Sequence, residues 1–100
     1  MKRVYLLRHA KSSWKHPELP DHDRPLAGRG KRAAKAIVWH MRAQAFVPEL
    51  VLCSTARRAR ETLERIEPAL GRAPVRVEGE LYGASARELL ARLRLSLIHI

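Results

Sequence analysis

The chain has 100 residues and a mass of 11.4 kDa, enough for one domain, with 20 Lys+Arg against 10 Asp+Glu for a formal net charge of +10. A hydrophobic share of 46% excludes a disordered tail, and a single cysteine, Cys53, excludes an intrachain disulfide framework or a cysteine-rich zinc site. With no run of 18 apolar residues and no secretory-type leader, a soluble cytoplasmic protein with no membrane partner is the expectation.

Residues 2–7 (KRVYLL) are a short apolar run bounded by charge, expected as a buried strand. Residues 8–24 lack apolar periodicity and hold Pro17 and Pro20, so they form a long loop of the kind that carries function. His16 and His22 in it have no metal-ligand spacing and are expected to face solvent. A helix is expected over about residues 29–45, with Ala34, Ile37, Val38, Met41 and Ala45 on its apolar stripe. Residues 50–53 (LVLC) read as a second buried strand, with Cys53 as a small hydrophobe ending it.

The next helix, about residues 57–70, buries Ala59, Leu63, Ile66 and Leu70. Pro68 should shorten or kink its last turn, and Gly71 suits the position after its end. Residues 75–77 are a short third strand. Ser85 and Glu88 make a capping box that opens a helix with Leu89, Leu90 and Leu93 on one face. The order β-α-β-α-β-α argues for a parallel sheet covered by helices, whose site lies in loops at the carboxyl ends of strands.

Those loops carry the chemistry. After the first strand come Arg8, His9, Ala10 and Lys11; after the second come Ser54, Arg57, Arg58, Arg60 and Thr62. Guanidinium groups from two adjacent strand ends would surround His9, and arginine's planar fork suits phosphate. Neighbouring cations keep an imidazole neutral and therefore nucleophilic.

In these segments the chain resembles the histidine phosphatase superfamily of phosphoglycerate-mutase-like fold, and within it the short SixA-type phosphohistidine phosphatases. The motifs are Leu7-Arg8-His9-Ala10-Lys11-Ser12, then Asp23-Arg24-Pro25-Leu26 with Arg29-Gly30. Ser54 with Arg58, Ala59 and Thr62 follows, then Leu81-Tyr82 with Ser85-Ala86-Arg87-Glu88. The resemblance implies a three-layer α/β/α fold with a mostly parallel sheet. It further implies His9 as the phosphorylated nucleophile, and Arg8 and Arg58 as catalytic phosphate ligands. Ser12 and Arg24 become further substrate-binding candidates. Glu80, ahead of Glu78, is the candidate general acid. No metal or cofactor is implied. The expected substrate is phosphohistidine on a signalling or phosphotransfer protein, with small phosphorylated metabolites as the alternative.

The family's core also has a second histidine at the end of a later strand. His99 follows the helix opening at Ser85 too closely to be that residue, because a βαβ crossover needs at least about ten to twelve residues. Residues 1–94 are therefore expected to be the N-terminal part of one histidine phosphatase domain, incomplete at its C-terminus, with 95–100 a non-native or frayed tail. Poor stability and little activity are the corresponding expectations.

Two rival enzymes fail on spacing. A cysteine phosphatase places Arg six positions after Cys, where this chain has Ala59. Gly28-Arg29-Gly30-Lys31 lacks the frame of a nucleotide P-loop. A basic nucleic-acid module is the rival without chemistry, but five scattered aromatics offer no stacking pattern, and no nucleic-acid partner is expected.

Overall fold

The computed structural model describes residues 12–45 and 48–99, with side chains through residue 95. The strand expected over residues 2–7 lies outside that range. The elements are α1 (Gly28–Ala43), β1 (Val51–Ser54), α2 (Arg57–Ile66), β2 (Val75–Glu78) and α3 (Ala86–His99), with 3-10 turns at Asp21–Asp23, Glu67–Ala69 and Gly79–Leu81. β1 and β2 pair in parallel, Val51 opposite Val75 and Cys53 opposite Val77. Parallel neighbours need a crossover, and α2 supplies it. From α1 onward these are the expected order and sheet type, within the α/β class.

The core lies where α1 and α2 pack beside β1. Ala34, Ile66 and Leu70 are buried there, with Ile37, Val38, Met41, Val51 and Leu63 packed against them. Ala34 is 1% exposed, a small residue that lets the two helices approach closely. Ala59, expected in the core, is only partly buried.

Two helix ends differ from expectation for local reasons. α1 stops at Ala43 because Ala45 takes a positive φ of 51°, where the chain can no longer continue a right-handed helix. α2 stops at Ile66 instead of running to Leu70. Pro68 cannot donate an α-helical hydrogen bond, and the chain tightens into a 3-10 turn. Gly71, with φ 63°, then ends the turn in the left-handed region.

The capping box forms as expected: Glu88 N–H donates to Ser85 Oγ (3.2 Å) and Ser85 N–H to Glu88 Oε1 (3.3 Å). Leu90, placed on the apolar face with Leu89 and Leu93, is instead 48% exposed. Arg92 Nε donates to Glu78 Oε2 (2.6 Å) and its Nη2 to Glu78 Oε1, tying α3 to the end of β2 by a two-pronged ion pair. The backbone of residue 99 is helical, so His99 does not end a strand.

Candidate phosphate site at the strand ends

The site begins where β1 hands over to α2. After Ser54 the chain needs only Thr55 and Ala56 to turn, and Ser54 Oγ accepts the Ala56 N–H at 3.2 Å. The first turn of α2 carries Arg57, Arg58 and Arg60 and no acidic residue. Helix starts favour carboxylates, because their free N–H groups carry partial positive charge. Three cations at this end are unfavourable for the isolated helix and suit a bound anion.

Each arginine has its own direction. Arg57 Nε donates to Glu61 Oε1 one turn on (3.1 Å), and Arg60 Nε folds back to the Thr55 carbonyl (3.0 Å). Arg58 leaves the helix altogether. Its Nη1 donates to the Asp21 main-chain oxygen (2.7 Å) and its Nη2 to Asp21 Oδ2 (3.0 Å).

The Asp21 carboxylate collects two further donors. Tyr82 Oη donates to Oδ2 at 2.6 Å, and Arg24 Nη1 to Oδ1 at 3.0 Å. The Tyr82 hydroxyl first, then the Arg58 guanidinium, hold the Asp21 carboxyl down to about 2. The same bond raises the Tyr82 phenol, whose proton the carboxylate holds.

Arg24 is 7% exposed and engaged on every side: Nη2 donates to Ser12 Oγ (2.5 Å), Nε to the Ser13 carbonyl (3.3 Å), and its guanidinium lies over the Trp14 ring. Ser12, also buried, pairs with Leu26 in an isolated antiparallel bridge that anchors the segment entering α1. These contacts need no ligand to account for them.

His22, expected to face solvent, does so only in part, its side chain being 40% exposed. Its Nε2 lies 2.8 Å from Thr55 Oγ1, and its ring stacks on Tyr82 with centroids 4.8 Å apart. The Asp21–Asp23 turn is thus gripped from the end of β1 by Thr55, from α2 by Arg58, and from beyond β2 by Tyr82.

The structure therefore links Ser12, Arg24 and Arg58 through Asp21. Arg8 and His9 lie outside the described residues. Glu80 is exposed in the turn just before Tyr82. Sequence reasoning missed the roles of Asp21, His22 and Thr55, and used Tyr82 only as part of a motif. The signal available was position: Asp21 and His22 directly precede the Asp23-Arg24-Pro25-Leu26 segment. Among the described residues, no group of three or more His, Cys, Asp or Glu side chains could hold a metal ion, and no helix is long and apolar enough to cross a membrane.

Comparison with known proteins adds an independent finding. The model of the histidine phosphatase superfamily (branch 1) matches residues 4–89. An uncharacterised Mycobacterium tuberculosis protein is 46% identical over 80 residues, covering 79% of this chain and 48% of that protein. An uncharacterised chloroplastic protein of Arabidopsis thaliana is 42% identical over 66 residues, covering 66% of this chain and 30% of its own length. A crystal structure from Agrobacterium tumefaciens, described as a phosphohistidine phosphatase SixA, superposes with a TM-score of 0.79 at 33% identity, covering 85% of this chain and 55% of that one. A SixA protein histidine phosphatase complexed with tungstate superposes with a TM-score of 0.66 at 28% identity, over 75% of this chain and 47% of that one. The chain thus spans about half the length of these solved structures or less than a third of the plant relative.

Proposed function

The chain belongs to the histidine phosphatase superfamily (branch 1), and we propose that it contributes the nucleophile and phosphate-binding half of a phosphatase acting through a phosphohistidine on His9. In this reading the neutral His9 imidazole attacks phosphorus in line. A P–N bond forms to His9 as the bond to the leaving group breaks, and the leaving group takes a proton. Water then attacks the phosphohistidine, releasing inorganic phosphate and free His9. Arg8 and Arg58 stabilise charge on the three equatorial oxygens, where phosphoryl transfer gains most from a protein. Ser12 and Arg24 border this pocket and keep its entry segment in place. Glu80 is the candidate proton donor to the leaving group. No metal or cofactor takes part.

The observation that carries the reading is Arg58. It stands at the start of α2, among cations that oppose the helix dipole, at the carboxyl end of a parallel strand. The preferred substrate is phosphohistidine on a signalling or phosphotransfer protein, a choice supported by the names of the structural relatives. Tungstate in one of them is a tetrahedral oxyanion, the geometry of phosphate.

The test is phosphoryl trapping. The chain is incubated with a protein carrying radiolabelled phosphohistidine, and transferred label is read after an alkaline quench that spares P–N bonds. Label should appear on the wild type, vanish in His9→Ala and fall in Arg58→Ala. Label retained by His9→Ala would refute the assignment of the nucleophile.

A further inference from the structure

Resting on that reading of Arg58, we propose that Asp21 is a positioning residue that sets the Arg58 guanidinium for phosphate, with Tyr82 locking Asp21 in turn. A free arginine on the first turn of a helix samples many rotamers, and ordering it costs binding free energy. Here Arg58 is taken by the main chain and side chain of one residue, at 2.7 and 3.0 Å, and its side chain is 15% exposed. Two contacts to groups of one residue fix the plane of the fork as well as its position. Asp21 cannot swing away with it. Its carboxylate also holds Tyr82 (2.6 Å) and the buried Arg24 (3.0 Å), and its carbonyl also accepts the Arg24 main-chain N–H at 3.2 Å. His22, next in sequence, is pinned to Thr55 and stacked on Tyr82. The arginine is therefore oriented before any ligand arrives.

Charge alone predicts the opposite effect. A carboxylate beside a phosphate ligand repels the phosphate, so removing it should tighten binding. Positioning predicts that removing it weakens binding, because the freed arginine must be ordered again for each ligand. The sign separates the two.

The experiment titrates the 100-residue chain with inorganic phosphate at fixed ionic strength, by calorimetry. Circular dichroism of each variant checks that it is folded. Asp21→Ala should raise the phosphate Kd about tenfold, the scale of immobilising one long side chain. Asp21→Asn should recover part of that loss, since an amide oxygen can still accept from arginine. Tyr82→Phe, which retains the stacking ring, should weaken binding about threefold, the effect of one hydrogen bond. In the Arg58→Ala background, none of these changes should weaken binding further. Unchanged or tighter binding by Asp21→Ala, or equal weakening with and without Arg58, overturns the positioning role alone. Should Asp21→Ala fail to fold, Asp21→Asn and Tyr82→Phe decide by the same signs. A wild type that binds no phosphate, or an Arg58→Ala variant that binds it undiminished, overturns the phosphate-site reading and this inference with it.

Discussion

Arg58 reaches across 37 residues of sequence to Asp21 and takes it twice, by carbonyl and by carboxylate. This contact fastens the loop before α1 onto the first turn of α2. Helix and loop are thereby joined beside the carboxyl end of β1.

The charge state of Asp21 sets one pH dependence. Its carboxyl is held down to about 2 by the Tyr82 hydroxyl and then Arg58, and Glu78 is lowered by its bond to Arg92. In the unfolded chain both return to ordinary values, about 3.9 for Asp and 4.3 for Glu. Both folded values are depressed, so their stabilisation is complete above those ordinary values and is lost as pH falls from about 4 toward 2. Melting followed by circular dichroism should show Tm dropping across that window. The Asp21→Asn/Glu78→Gln double variant should melt lower at pH 7 but lose less on acidification. Parallel curves for the two proteins would sink this account.

The Glu78–Arg92 pair gives a second expectation. The pair is two-pronged, and its side chains are only 21% and 14% exposed, so it is worth more than a typical surface pair. Arg92→Met should lower the urea unfolding midpoint. Glu78→Gln should lower it by a similar amount, and the two together by much less than their sum. Additive losses would mean the residues act separately.

The small core makes Ile66 critical. It is 6% exposed, within the Ala34–Ile66–Leu70 cluster that joins α1 to α2. Ile66→Ala should destabilise by about 2–4 kcal/mol, removing buried methyl groups and leaving a cavity. Ile66→Val should cost about 1 kcal/mol on the same scale. Comparable losses from the two substitutions would argue against cavity formation.

Two positions with positive φ should respond with opposite signs. Ala45 sits at φ 51°, just past the end of α1, where a Cβ is disfavoured; Ala45→Gly should stabilise by about 1 kcal/mol. Gly71, at φ 63°, has open space around a built Cβ, so Gly71→Ala should destabilise by about 1 kcal/mol through the backbone alone. Thermal melts of the two variants check the pair; shifts of equal sign would contradict the φ argument.

Much of the layout was legible in the chain itself. The apolar spacing of Ala34, Ile37, Val38 and Met41 located α1, the run at 50–53 located β1 to within one residue, and Ser85 with Glu88 located the start of α3. The ends of α1 and α2 were less legible. They depend on a positive φ at Ala45 and on how the chain bends around Pro68, which apolar periodicity does not report.

For the site, the same division holds. Arg58 was legible because its motif is local, within a few residues of Ser54 and Thr62. Asp21 was not, because its importance lies in partners 37 and 61 residues away. Nor was His22, a loop histidine with no periodic pattern that becomes half-buried only when Tyr82 stacks on it and Thr55 meets its ring.

The alternation of elements from α1 onward, the family, and the +10 charge concentrated in arginines follow from the order of residues alone. Periodicity and motifs are written in neighbouring residues, and neighbouring residues are enough to set them. Which of those arginines are held, and by what, depends on the folded arrangement. Arg24 is enclosed by Ser12, Trp14 and Asp21, whereas Arg58 is gripped from one side by Asp21. Hydrogen-bond geometry between distant segments exists only after the strand ends are brought together, and no spacing along the chain encodes it.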